Sequence, residues 1–170
     1  MNAAIVTLQG LDRTRIEAHL LRLAPADRSL RFAAGVMTDE TIRRYVAAIP
    51  FERDLVIGLV SKLGRVIGLA HGCVFEAHGR RHVEAAFSVD AEWRGRGLGK
   101  RLMESLMRRT EAEGGAVLVG SCAPRNLPMR RIFEHAEMAL TREEDELNAR
   151  RELDGCAAVP AAARTRALLA

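Results

Sequence analysis

The stretch Val89-Asp90-Ala91-Glu92-Trp93-Arg94-Gly95-Arg96-Gly97-Leu98-Gly99-Lys100 decides how this chain is read. A strand from His82 to Val89 feeds it. A helix follows, with Leu98, Leu102, Met103, Leu106 and Met107 on one apolar stripe. A strand that enters a helix through glycines presents free backbone N–H groups at a positive dipole end, which makes an anion site. Gly95, Gly97 and Gly99 let the backbone curl and come close to phosphate oxygens. Arg94, Arg96 and Lys100 add charged donors. The dinucleotide pattern Gly-x-Gly-x-x-Gly is disfavoured because the third glycine comes one residue early. The nucleoside-triphosphate loop is disfavoured because Arg101 stands where Ser or Thr should follow Gly99-Lys100.

Upstream of the loop, Ile5–Leu8 reads as a first strand. Asp12 caps a helix to about Leu23, Pro25–Ser29 is a break, and Thr38 caps a second helix that Pro50 ends. Asp54–Ser61, Arg65–Phe75 and His82–Val89 are β-rich runs joined by short glycine turns, an antiparallel meander. In the third run Val83, Ala85, Phe87 and Val89 point one way, and His82, Glu84, Ala86 and Ser88 the other. Downstream, Gly114-Gly115 stops the helix and Ala116–Gly120 is a short buried strand. Asn126 caps a helix to about Met138, with Leu127, Met129, Ile132, Phe133 and Ala136 toward the core. Leu147–Leu153 forms a last strand. The order predicts a single α/β domain with a mixed sheet over residues 1–153. Residues 154–170 read as an Ala- and Arg-rich mobile tail.

The chain has 170 residues and a net charge of +4, with aromatics at only 4%. Its arginines are scattered among acids, so the basic balance reads as solvated surface rather than a nucleic-acid footprint. No apolar run approaches a membrane span, and no secretory pattern opens the chain, so a cytoplasmic location is expected. Cys73, Cys122 and Cys156 are widely spaced, and the histidines form no His-Glu-x-x-His pattern; free thiols and no metal are expected. Exposed sheet edges allow a homodimer.

Arg94–Gly99 resembles the Gln/Arg-x-x-Gly-x-Gly/Ala signature of the GNAT acetyltransferase superfamily, and Val89–Trp93 is similar to that family's strand and bend. Asn126-Leu127-Pro128-Met129 with Phe133-Glu134 resembles its Asn-x-x-Ala/Met…Tyr-Glu helix. Leu30-Arg31-Phe32, Val83-Glu84 and Gly97-Leu98-Gly99 look most like single-domain relatives of bacterial protein-lysine acetyltransferases. The resemblance implies a splayed, mostly antiparallel sheet flanked by helices, with acetyl-coenzyme A between two parallel strands. It places the pyrophosphate on the amides of Arg94, Gly95, Arg96, Gly97, Leu98, Gly99 and Lys100. The pantetheine would pair with the backbone of Phe87, Ser88 and Val89, with Asn126 contacting it or capping its helix. The acceptor would be a primary amine, on a protein lysine or a small molecule.

Such an acceptor must lose a proton before it attacks the thioester. Glu84, about 13 Å along the strand from Ser88, is the candidate base, with His78 and His82 as alternatives. Two departures from the family pattern stand out: Phe133 replaces a proton-donating Tyr, and Glu137 replaces a helix-ending Gly. The missing Tyr leaves open a second reading, a module that senses acyl-coenzyme A without turnover. A third, weaker reading is a nucleic-acid binder.

Overall fold

The computed structural model describes residues 3–32 and 37–153; the expected mobile tail and Cys156 lie outside them. One sheet of seven strands organises the molecule: β1 (Ala3–Thr7), β2 (Leu55–Ser61), β3 (Val66–Ala77), β4 (Arg80–Val89), β5 (Val117–Cys122), β6 (Ala139–Glu143) and β7 (Glu146–Glu152). Their spatial order is β1-β2-β3-β4-β5-β7-β6, and every pair is antiparallel except β4 with β5. Five helices flank it: α1 (Arg13–Leu21), α2 (Pro25–Phe32), α3 (Asp39–Ala47), α4 (Leu98–Ala112) and α5 (Leu127–His135).

Period-two alternation gives each face of the sheet its own core. Leu55, Ile57 and Leu59 of β2 pack in one cluster with Leu102, Met103 and Leu106 of α4 and with Phe133 of α5. Val56, between them in sequence, joins Ile16 and Leu20 of α1 and Ile42 and Val46 of α3 on the other face. Each fully buried side chain of this size contributes about 1.5–3 kcal/mol relative to exposure. The expected caps form at two helices: Thr38 Oγ1 accepts from the Thr41 N–H at 3.2 Å, and Asn126 Oδ1 from the Met129 N–H at 3.2 Å. Asp12 acts differently from expectation. Its carboxylate turns back to accept from the Gln9 N–H at 3.0 Å and pairs with Arg15 at 2.6 Å.

Other parts of the fold also differ from the sequence reading. Pro25–Ser29 is not a break but the start of α2, because proline is compatible with a first helical turn. Arg28 ties α2 to the end of α1 by donating to the carbonyls of Leu21 and Leu23. β6 was not anticipated: Ala139-Leu140-Thr141-Arg142-Glu143 is a largely exposed edge strand with no clear apolar alternation to announce it. Leu127 is 55% exposed at the first position of α5 rather than in the core. Glu137 does not alter the helix end. It takes the left-handed conformation itself, with φ +51°, while its N–H donates to the Glu134 carbonyl and that of Met138 to Phe133. That is the glycine-type helix stop built with the wrong residue.

One polar cluster pins α1 to the sheet beside the loop. His19 is wholly buried; its Nε2 lies 2.8 Å from Ser88 Oγ, and its Nδ1 lies 2.8 Å from Asp90 Oδ1. Asp90 also holds Arg22 at 3.0 Å and Arg65 at 2.8 Å. Burial pushes the Asp90 carboxyl up, but His19, Arg65 and Arg22 together outweigh it and hold it at about 2. Burial keeps His19 below its ordinary value of 6.5 against the pull of Asp90, so the ring is neutral.

The two features predict measurable effects. Glu137→Gly should raise the unfolding free energy in urea by about 0.5–1 kcal/mol, the left-handed penalty of a side chain less the extra chain entropy of glycine. The stability that depends on neutral His19 is complete above pH 6.5 and lost as pH falls below it, because the unfolded chain takes up the proton first. His19→Gln should therefore shrink the loss of stability between pH 6.5 and about 5 in urea titrations.

Candidate active site

β4 and β5 run side by side for only three pairs, His82–Val117, Val83–Leu118 and Glu84–Val119. Beyond Glu84 the strands part, and a cleft of about 880 Å³ opens between them. The Ala85 carbonyl lies on the β5 side, 3.4 Å from where a Cβ on Gly120 would stand. Alternation along the strand turns the peptide groups of Phe87 and Val89 the same way, into the gap. The Ser88 peptide faces β3 instead, opposite Leu69, and its hydroxyl is taken by His19. Of the three residues expected to pair with a pantetheine, Phe87 and Val89 thus present backbone to the cleft and Ser88 does not. The Val89 carbonyl already accepts from Arg94 Nε at 2.9 Å.

The glycine loop stands at the mouth. Gly95 and Gly97 have φ of +72° and +71°, and a Cβ on either would meet nothing within 4 Å, so their need is conformational and the space beside them is open. Gly99 serves packing: a Cβ there would lie 2.7 Å from Ile132 Cδ1, so its bareness lets α5 close on α4. Gly97 is the N-cap of α4 and has no side chain to cap it, which leaves first-turn amides, those of Leu98, Gly99 and Lys100, for an anion. The loop cations are less free than their sequence suggests. Arg94 is paired with Asp27 of α2 at 2.9 Å. Arg96 donates to the Glu92 carbonyl at 3.0 Å, stacks over Trp93 and is not among the residues that line the cleft. Lys100 is loosely paired with Glu104 at 3.9 Å. Asn126 lines the opposite wall while capping α5.

Glu84 belongs to the last β4–β5 pair, so its carboxylate sits at the inner end of the cleft, exposed and in no ion pair among the described residues. His78 and His82 do not line the cleft; His78 is in the turn before β4, and His82 is buried against Phe75. Phe133 is fully buried under Gly120 and has no proton to give. Cys122 is buried at the end of β5, and burial pushes its thiol up.

The sequence did not reveal a second polar group on the wall that carries α2 and α3. The Tyr45 hydroxyl bonds His71 Nδ1, His71 Nε2 reaches Asp54 Oδ2 at 3.0 Å, and Asp54 Oδ1 accepts from the Val74 N–H at 3.1 Å. Because Asp54 accepts, Nε2 carries the proton and Tyr45 donates to Nδ1. Burial, with Arg31 nearby, keeps His71 below 6.5, and burial raises Tyr45. Asp54, His71 and Cys73 bring ligand atoms within 4.8 Å of one another. Both His71 nitrogens are engaged, and burial lifts the Cys73 thiol to about 11, so the donors fit a hydrogen-bond network better than a metal. The available signal was His71 itself, a lone imidazole inside the apolar run Val66–Val74.

No curated protein matches the sequence. The fold has many counterparts among solved structures. The GNAT domain of Streptomyces lividans PAT superposes with a TM-score of 0.75 at 19% identity, over 89% of this chain and 90% of that one. The yncA protein of Salmonella typhimurium, solved with acetyl-coenzyme A, gives 0.73 at 19% identity over 95% and 99%. A phosphinothricin acetyltransferase of Sinorhizobium meliloti, in complex with the same compound, gives 0.71 at 18% identity over 90% and 89%. At such identities the likeness concerns the fold. The profile of the acetyltransferase (GNAT) family matches residues 23–137, a span that holds the glycine loop, the parted strands and Glu84, and the chain therefore belongs to the GNAT acetyltransferase family.

Proposed function

We propose that this N-acetyltransferase moves the acetyl group of acetyl-coenzyme A directly onto a primary amine, of a protein lysine or a small molecule. The observation that carries this reading is the arrangement along one cleft: an uncapped helix N-terminus at the mouth, unpaired strand backbone along the wall and a free carboxylate at the inner end.

The residues fit the donor. First-turn amides of α4, with Lys100, would hold the pyrophosphate, and the open space beside Gly95 and Gly97 admits it. The Phe87 peptide would pair with the pantetheine as a substitute strand. Acetyl-coenzyme A supplies an activated acyl carbon: the N–C bond forms, the C–S bond breaks, and coenzyme A leaves as a thiolate. Glu84 takes a proton from the incoming ammonium, directly or through water, and frees the lone pair. The Phe87 N–H faces the gap and can hold the charge that develops on the carbonyl oxygen. Once the bond forms, the nitrogen sheds one more proton, which water carries to the thiolate because Phe133 has none.

Two variants test this. Calorimetry should show micromolar binding of acetyl-coenzyme A, lost in Gly97→Glu, which puts bulk and negative charge in the loop. Glu84→Gln should bind the donor as before while kcat for amine acetylation falls by about 10²–10⁴-fold. A wild-type protein that does not bind acetyl-coenzyme A would sink the reading.

A further inference from the structure

Among the described residues, Arg31 of α2 is a charged residue without a counter-ion. It lines the inner wall beside Tyr45 and His71 and is half-buried. Its Nε is shielded from solvent and has no hydrogen-bond partner. One NH2 donates to the Tyr45 hydroxyl at 3.2 Å, and the guanidinium lies over the rings of Phe32 and Tyr45, at 5.2 and 5.9 Å from their centres. Among the described residues no carboxylate pairs with it. Neighbouring acids are committed elsewhere: Asp27 to Arg94, and Asp54 to His71 and Arg53. A guanidinium does not shed its proton, so a partly desolvated one that lacks an anion is costly unless a ligand completes it.

The same cleft contains the complementary feature. Glu84 is a carboxylate with no ion pair, and Glu84 and Arg31 do not pair with each other. Arg125 and Arg131, the other cleft cations without ion pairs, are exposed on the α5 side, where water can solvate them. The α2 and α3 wall thus offers one fixed cation and, at the β4 edge, one fixed anion. An ammonium belongs at Glu84 if that residue is the base. A carboxylate belongs at Arg31, whose planar fork suits it.

We infer that the acceptor is a small zwitterion, a free amino acid or aminoalkanoate, with its carboxylate held by Arg31 and its amine presented to Glu84. This rests on the acetyl-transfer reading above. It makes Arg31 a residue that selects the acceptor and takes no part in binding the donor. Tyr45, held by His71 and Asp54, fixes the guanidinium from one side.

The test compares acetyl transfer to free amino acids, β-alanine and 4-aminobutanoate with transfer to their carboxamides and to a lysine peptide. The best carboxylate acceptor should exceed its own carboxamide by about 100-fold in kcat/KM, because the amide leaves the guanidinium unpaired. Arg31→Gln should erase most of that ratio through KM, leaving the carboxamide rate and the affinity for acetyl-coenzyme A within about twofold. Arg31→Lys should retain part of the preference. Preference for the carboxamide or the peptide overturns the inference. So does intact donor binding with transfer to none of the carboxylates. Weakened donor binding in Arg31→Gln overturns it too, by assigning the cation to a phosphate of coenzyme A. Failure of the wild type to bind acetyl-coenzyme A is a separate result and removes the parent reading first.

Discussion

The structure turns on the point where β4 and β5 stop pairing. A sheet that loses a ladder in its middle exposes backbone donors and acceptors on both inner edges, and buried groups of this kind must find partners. Here they line the cleft between β4 and β5. The split falls just after Glu84, so the last closed rung fixes the inner end of the cleft and puts a carboxylate there. At the other end the chain leaves β4 through two left-handed glycines and enters α4 with no side-chain cap. The unsatisfied groups lie in a row because one strand carries them.

Keeping two strands apart requires rigid walls. Phe133 fills the space over Gly120, where a Cβ would lie 3.0 Å from its ring, and this plugs the sheet immediately behind the opening. Ile132 closes on Gly99 and locks α5 to the helix that bears the loop. On the far face, Asp90 gathers His19, Arg22 and Arg65 and holds α1 against the end of β4. Arginines carry out much of this fastening. Arg13 donates to the carbonyls of Ala47 and Ile49 at the end of α3, Arg28 to those ending α1, and Arg22 to Val66. Part of the basic composition therefore has a structural account in helix ends that need donors. Among the described residues no helix is long and apolar enough to cross a membrane.

The cleft's two walls differ in kind. The α5 side combines Met129 and Ile132 with the exposed Arg125 and Arg131. The α2 and α3 side has a neutral, hydrogen-bonded chain, Tyr45–His71–Asp54, with Arg31 beside it. Burial favours the uncharged imidazole and phenol there, so Arg31 and Glu84 are the charges beside them that have no ion pair among the described residues. A site with little charge of its own responds strongly to the charge a ligand brings, because the surroundings screen weakly.

The loop was legible in the sequence because its chemistry is local. Consecutive residues set the turn, the uncapped amides and the stripe of α4, and Thr38 and Asn126 announced their helices by the same short-range logic. Glu84 was legible as well, since alternation fixes its face once β4 is placed. Local signals failed where two of them conflicted, at Pro25, and where one was absent, in the polar edge strand β6. Other features depended on packing. The free cations of the loop became partners of Asp27 and Glu92 only when α2 and the bend were in place. Tyr45, His71 and Asp54 come from a helix, a strand and a loop, and Arg31 from the residues just after the stretch Pro25–Ser29 that was read as a break. Their meeting is a contact between distant parts of the chain, and no spacing encodes it. The sequence by itself determined the glycine turn, the uncapped start of α4 and the type of most elements, because backbone geometry and side-chain period act over a few residues. Only the tertiary structure decided where the sheet opens and which charges are left unpaired inside it, because burial and pairing are properties of surfaces brought together by folding.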